Sequence, residues 1–417
     1  MRLEVAETKI VQGVQRGLRF ISRQESLFKM NLVRVSTQNF FLALTQQFES
    51  LYVVALGASP LQLGVVNSVG GLAGAAIAVP TGWLADRYGI RRMLLLGTPL
   101  MALGALIFAL APNWMIILLA FLLARLALRL VMTVCPMVCG SCLKSEERAT
   151  GMQLCDTLSA VPRLVAPVVG SFLVTWFGGI TEAGIRPLYY LQALGLSLIF
   201  VVIARRFTDP AATRTRNTAS SLVGGMREVL TQGTMVKRWL LYTSLSSVPM
   251  VISPVYLPLF ASEIKHADQL ILGGMAAATM VAPLSLSIAI GRLADTIGRK
   301  KVIYLTTPLY CASLLLLIYA ADSTLLLVSG VFQGFYMLSA VTQGAMTAEL
   351  VPTPLLGRWH GLLGLTRGVI TVLAPVVGGI LWGSLSPESV FFFLIATQLL
   401  KFLILATVPE TLRTPRS

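Results

Sequence analysis

Apolar residues occur along this chain in long runs, and polar residues collect in the short gaps between them. A run of about 20 apolar residues is what a helix needs to cross the hydrocarbon core of a bilayer. Such runs lie at 35–57, 61–82, 93–111, 115–138, 150–176 and 187–204. Six more lie at 239–261, 270–291, 302–320, 324–347, 361–383 and 390–408. The pattern predicts an all-α membrane protein with twelve membrane-spanning helices, here numbered spans 1–12.

The chain also repeats itself. Residues 82–92 read G-W-L-A-D-R-Y-G-I-R-R and residues 291–301 read G-R-L-A-D-T-I-G-R-K-K, 209 positions later. Residues 166–173, A-P-V-V-G-S-F-L, return at 374–381 as A-P-V-V-G-G-I-L, 208 positions later. Two unrelated matches at nearly one offset indicate a duplicated half, because chance similarity does not hold register over about 200 residues. The expected organisation is a basic tail (1–34), a six-helix bundle (35–204), a linker (205–238), a pseudo-symmetric second bundle (239–408) and a short tail (409–417). Membrane transporters are often built from such repeats.

With 55% hydrophobic residues, 12% charged residues and a mean hydropathy of +0.78, the chain is too apolar for an ordinary soluble fold. If the N-terminus is placed inside, 26 of the 33 Lys and Arg fall in cytoplasmic segments, and the outer loops hold only Arg186 and Lys265. The positive-inside rule then predicts a multi-pass protein of the cell membrane with both termini in the cytoplasm. Contact with anionic lipid accounts for the net charge of +15. These basic residues are scattered among membrane loops, so nucleic acid is not an expected partner. No cleavable signal sequence is expected, since the first 30 residues lack an apolar core segment. Ile10, Val14, Leu18 and Ile21 recur at helical spacing among basic residues, so the tail either lies flat on the inner leaflet or is simply solvated. A short surface helix is predicted near 219–231 in the linker.

The doubled loop motif, G-x-L-A-D-x-x-G-x-basic-basic, resembles the cytoplasmic loop motif of the major facilitator superfamily. It stands once between spans 2 and 3 and once between spans 8 and 9. The resemblance covers nearly the whole chain, and the twelve-helix proton-coupled exporters of that family look most similar. The loop chemistry can be read without the name. Gly82 and Gly291 allow close helix approach, while Gly89 and Gly298 permit a tight reversal at positive φ. Asp86 and Asp295 fall just past a helix C-terminus, where the macrodipole disfavours an anion, so each should face another helix's N-terminus or an arginine. In similar transporters this Asp bridges to the opposite half. Pseudo-symmetry then nominates Arg358 for Asp86 and Arg148 for Asp295. Arg91, Arg92, Arg299, Lys300 and Lys301 would meet phospholipid headgroups or extend the bridge. The plainer alternative is an ordinary charged turn anchoring two helices.

In the A-P-V-V-G copies, Pro167 with Gly170 and Pro375 with Gly378 set a kink beside a small residue, which predicts bendable helices. The first copy resembles the helix 5 motif G-P-x-x-G-G of proton-coupled drug exporters but departs from it at Ala166 and Ser171. A generic hinge is the alternative.

Ionisable groups within spans are costly and point to function. Seven occur: Glu49 in span 1, Arg125 and Arg129 in span 4, Asp156 and Arg163 in span 5, Arg367 in span 11 and Lys401 in span 12. Counting from the turn between spans 4 and 5 sets Arg129 level with Asp156, predicting a structural ion pair. The same count sets Arg125 nearly level with Arg163, close to mid-membrane, where Glu49 is the carboxylate at matching depth. The family resemblance adds that helices 1, 4, 7 and 10 line the central cavity, which makes Glu49 and Arg125 cavity candidates. An arginine in span 4 resembles one that many exporters carry, although Arg129 stands where glycine is usual.

Cys135, Cys139 and Cys142 form C-x-x-x-C-x-x-C in span 4, but small buried cysteines are commoner than a metal site in a reducing compartment, and none is expected. His266 and His360 are isolated, and Gly70, Gly71, Gly74, Gly273 and Gly274 are read as helix packing. No catalytic constellation or nucleotide motif is present, so the chain is expected to be neither an enzyme nor a cofactor binder. The expectation is a secondary transporter, working as a single chain, that exchanges protons for small amphipathic organic solutes. The net positive charge within the spans motivates an organic-anion transporter as the rival, and a non-transporting membrane scaffold is the third reading.

Overall fold

A computed structural model describes residues 20–132, 134–143, 148–207, 229, 231, 233–351 and 355–411. Within these, the side chains at 78–80, 82, 83, 85, 86, 136, 140, 141, 148–150, 153, 156, 356 and 357 lie outside the description. Every regular element among the described residues is a helix, and none is a strand. Span 1 is Ser26–Gln46 followed by Glu49–Ala55, and spans 2 and 3 are Pro60–Leu110, which reverses at Gly89 with φ 80°. Span 4 is Trp114–Met132 with Val134–Cys142, span 5 Arg148–Trp176 and span 6 Glu182–Arg206. Span 7 is Thr234–Leu245 with Val248–Glu263, and span 8 is Gln269–Ala278 with Val281–Ile297. Spans 9–12 are Arg299–Tyr319, Ser323–Leu350, Leu356–Ser384 and Pro387–Ala406. Gly298, between spans 8 and 9, has φ 111°.

Among the described residues, eleven helices are long and apolar enough to cross a membrane. Span 1 falls short because Gln38, Asn39, Thr45, Gln47 and Glu49 interrupt its apolar run; the first four are buried against other helices. Its helix begins at Ser26, nine residues ahead of the expected start at 35. The expected tail helix falls outside the described residues except at Ile21, and the linker helix except at residues 229 and 231.

The loop motifs define one side of the molecule, here the motif side, and the opposite side is the far side. Several spans that start on the far side begin at a capping side chain, which satisfies amide groups the first turn leaves open. Ser59 and Gln62 form a capping box for span 2. Thr181, Asp268 and Asp322 accept from the backbone N–H of Gly184, Ile271 and Leu325 at 3.1, 2.8 and 2.8 Å.

Each half has its own aromatic core. In the first, the Phe108 and Tyr189 rings stack at 4.7 Å, and the Tyr52 hydroxyl donates to the Phe108 carbonyl at 2.9 Å. In the second, Phe260 packs edge-on against Phe391 at 4.8 Å and beside Trp382 at 6.2 Å.

The halves touch on the far side. Gly64 of span 2 lies against the Pro375 carbonyl of span 11, and Gly71 lies against Thr371. Gly379 meets Pro60 and Leu61, while Gly273 of span 8 meets Pro167 and Ser171 of span 5. The Tyr256 hydroxyl of span 7 lies 2.6 Å from the Pro375 carbonyl and 3.2 Å from the Pro60 carbonyl, so one group joins span 7 to span 11 and to the other half. On the motif side the same helix faces stand apart. Gly291 is five turns beyond Gly273 and Gly361 is two turns before Gly368. A Cβ at Gly291, Gly361 or Gly364 would meet nothing within 4 Å. Among the described residues, the halves are therefore closed on the far side and parted on the motif side.

Candidate functional site

Span 1 breaks at Gln47 and Phe48, and Glu49 opens its second piece. Glu49 Oε1 lies 3.2 Å from Arg125 Nη2 of span 4. The two side chains remain 28% and 41% exposed, so the protein does not seal the pair. Span 2 makes room for the guanidinium: a Cβ at Gly70 would come within 3.0 Å of Arg125 Cγ, and one at Gly74, one turn on, would stand 3.6 Å from Arg129 Nε. The Phe121 ring supports Arg125 from below, 5.4 Å from its Cζ. Gly70 and Gly74, read from sequence as plain packing, thus form the groove in which two arginines lie.

Arg163 does not join this pair. Its Nη2 donates to Asn39 Oδ1 at 3.4 Å. Asn39 precedes Glu49 by ten residues, about 15 Å along a helix. The expected three-residue cluster is corrected to two contacts on span 1, because the depth count ignored how each side chain leaves its helix. Asn39 carried no signal in the sequence beyond being a polar residue in a span.

Arg129 and Arg367 lie within electrostatic reach of each other across the two halves, and Arg367 also interacts with Tyr336. The Asp156 side chain lies outside the described residues. Lys401 is buried in span 12, where it donates to Gln398 Oε1 at 2.9 Å and stands 5.1 Å over the Tyr242 ring.

At the motif loops, the side chains of Gly82, Asp86 and Arg148 are outside the description. Arg91 Nη2 donates to the Ala204 carbonyl at 3.1 Å, tying span 3 to span 6, and Arg92 is exposed. Asp295 Oδ1 lies 3.6 Å from Arg299 Nη2 in its own loop, and the same guanidinium pairs with Glu349 of span 10. Lys300 Nζ donates to the Val408 carbonyl at 2.7 Å. Arg358 is half-buried at the start of span 11. Glu410, in the expected C-tail, accepts from the backbone N–H groups of Arg299 and Lys300 at 3.0 Å each and caps span 9. This cap spans more than a hundred residues of sequence, so no local pattern announces it.

At the proline cassettes, the Gln47 side chain donates to the Pro167 carbonyl at 2.8 Å, and Gly170 lies against the Leu44 carbonyl. Gly378 lies flat against the Tyr256 ring. A surface groove of about 410 Å³ runs between spans 3 and 6 past Leu103, Leu106 and Leu194. It holds no charged group and lies away from Glu49.

Among the described residues, two six-helix bundles are joined on one side, parted on the other and carry part-exposed charges between them, the architecture of a membrane transporter fold. The chain matches the Major Facilitator Superfamily over residues 32–288 and again over 250–416, and it belongs to that family. It is 31% identical over 131 residues to an uncharacterized MFS-type transporter of Mycobacterium tuberculosis, covering 31% of this chain and 19% of that protein. It is 24% identical over 115 residues to the class B tetracycline resistance protein of Escherichia coli, covering 28% of each. The match therefore spans well under a third of either relative. Among solved structures, the nucleoside transporter NupG superposes with a TM-score of 0.74 at 15% identity, over 92% of this chain and 99% of that one. A D-xylose–proton symporter superposes at 0.70 and 15% identity, covering 93% and 99%. A bacterial homologue of the human lysosomal transporter Spinster, inward-facing and occupied, superposes at 0.68 and 12% identity, covering 92% and 96%. These likenesses show the fold, and all of these proteins are transporters.

Proposed function

We propose that this protein exchanges protons for small amphipathic organic compounds, moving them out across the cell membrane as a single chain, with Glu49 as the coupling group. The observation that carries this reading is the part-exposed Glu49–Arg125 pair at the break of span 1. A carboxylate that keeps a guanidinium partner only while ionised links proton binding to a change of partner. The basic residues of the loops support a cytoplasmic motif side with both termini inside, and on that reading the arrangement described above faces inward. Inward-facing with the pair formed is the state an exporter reaches once it has released its proton to the cytoplasm and stands ready for cargo. The likeness to a tetracycline resistance protein supports outward transport.

One observation favours a second reading. Among the described residues, neither Arg163 nor Arg367 has a carboxylate within 4.0 Å. Exposed guanidiniums between the halves suit an organic anion, which would enter when protonation of Glu49 frees Arg125.

Reconstituted vesicles with an imposed pH gradient separate the two. For the exporter, Glu49→Gln loses gradient-driven movement but keeps substrate binding and passive exchange. For the anion carrier, Arg163→Gln loses anion binding, and Glu49→Gln tightens it. Thermal stabilisation by a panel of cationic, neutral and anionic amphiphiles supplies the cargo for the assay. Intact gradient coupling in Glu49→Gln would remove Glu49 from the mechanism.

A further inference from the structure

Transport leaves three cysteines unused, and the fold brings them together where spans 1, 4 and 5 meet on the motif side. Cys135 and Cys139 stand one turn apart on Val134–Cys142, and Cys155 faces them from span 5. The three Sγ atoms all lie within 4.8 Å of one another, with Cys139 and Cys155 at 4.0 Å. Cys139 and Cys155 are buried, and Cys135 is half-buried. Cys142, which the sequence spacing grouped with the first two, is not one of the three.

The spacing is close to that of a metal centre. Three sulfurs each 2.3 Å from one ion stand about 4.0 Å apart in a trigonal plane. Movements of less than about 1 Å would close this cluster around an ion. Among the described residues no carboxylate or imidazole joins the group, and Phe28, Leu32 and Leu143 wall it with apolar surface. Hard cations such as Mg²⁺ and Ca²⁺ require oxygen ligands, and structural zinc takes four ligands. A sulfur-only, three-ligand, water-poor site suits a soft d¹⁰ ion.

The surroundings supply an independent sign. Asn31 of span 1 is 0% exposed, and among the described residues its Nδ2 has no hydrogen-bond partner. The Asn31 side chain lies within interaction range of the Cys135 thiol. Arg34, also buried, donates to Asn31 Oδ1 at 2.9 Å and so fixes which end of the amide faces the thiols. Its guanidinium lies within electrostatic reach of Cys135 and Cys155. A buried donor and a buried cation beside a sulfur cluster are what thiolates need around them when they hold a metal.

We propose that Cys135, Cys139 and Cys155 form a three-coordinate thiolate site for a soft, thiophilic metal ion of the Cu(I) type, joining spans 4 and 5. Each thiol that binds gives up its proton. Three thiolates, one Cu⁺ and Arg34 leave one net negative charge, which the Asn31 N–H helps to hold.

The test uses the full chain in detergent, under anaerobic conditions, with Cu(I) titrated against a chromophoric Cu(I) chelator. One Cu(I) per chain should be retained, X-ray absorption should show three sulfur neighbours at about 2.3 Å, and the melting temperature should rise on loading. Cys155→Ser and Cys139→Ser should weaken retention by well over tenfold, and Asn31→Ala by about tenfold. Cys142→Ser and Cys311→Ser should leave it unchanged. The wild-type melting shift and sulfur count do not depend on any variant folding. Full retention in Cys155→Ser, fewer than three sulfurs, or a Cys139–Cys155 disulfide in place of the complex would overturn the site.

Discussion

A carboxylate serves as a proton switch only if water reaches it and a fixed cation waits beside it, and the part-exposed Glu49 with Arg125 at 3.2 Å suits that proposed role. The groove for Arg125 depends on Gly70. Gly70→Leu should displace the guanidinium and give the same loss of gradient coupling as Glu49→Gln in the vesicle assay, although it leaves the carboxylate in place. Elsewhere single residues act on stability alone. Glu410 caps span 9 through two amide hydrogens, so Glu410→Ala should cost about 1 kcal/mol. Detergent melting curves would read this directly, and transport by the folded fraction should be unchanged. The pairing of Arg129 with Asp156 is a proposal from sequence depth. If it holds, Arg129→Ala leaves a buried charge unpaired and lowers the melting temperature, and the double change Arg129→Met with Asp156→Leu recovers much of that loss. Additive losses would show that the two do not touch.

At the scale of the helix, glycine decides where the halves close. Pro375 has no N–H to pair with the Thr371 carbonyl one turn earlier, and Gly71 lays a flat surface beside Thr371. A Cβ at Gly71 would stand 2.8 Å from that carbonyl oxygen and 2.6 Å from Thr371 Cγ2, closer than atoms pack. Gly71→Leu should therefore disfavour far-side closure and shift the population toward the opposite opening. The readout is a cysteine at Gly361, in a background with the native cysteines replaced by serine. Its reaction with an impermeant maleimide from the motif side should fall by about tenfold, the change expected when about 1.4 kcal/mol moves between two states. Unchanged labelling would mean that the interface yields elsewhere. Tyr256→Phe removes the hydroxyl shared between Pro375 and Pro60 and should act in the same direction, more weakly.

At the scale of the molecule, two bundles that part on one side must be able to part on the other. The bridge proposed from the family resemblance, Asp86 to the start of span 11 near Arg358, belongs to the opposite state, in which the motif side closes. Asp86→Asn should then raise motif-side labelling at Gly361, and combining it with Gly71→Leu should return labelling toward the parent level. A double variant that labels like Gly71→Leu alone would show that Asp86 has no part in closure. Asp295 presents a different picture in the state described, since it lies with Arg299, which also holds Glu349. The repeated motif therefore need not do equal work in the two halves.

The sequence by itself determined the all-α transmembrane fold and the family. Apolar runs of bilayer length admit only helices when backbone groups have no water to bond, and the doubled G-x-L-A-D motif marks the two halves. It also singled out Glu49 and Arg125, because an ionisable group in hydrocarbon is expensive enough to stand out in any span. Tertiary structure alone decided who touches whom. It sent Arg163 to Asn39, set Gly70 and Gly74 under two arginines, brought Glu410 back to span 9 and exchanged Cys142 for Cys155 in the sulfur cluster. Such contacts depend on the rotation of each helix about its axis, where one residue's shift turns a side chain by 100°. Hydropathy records a residue's depth in the membrane but is blind to that angle, and only packing of the helices against one another sets it.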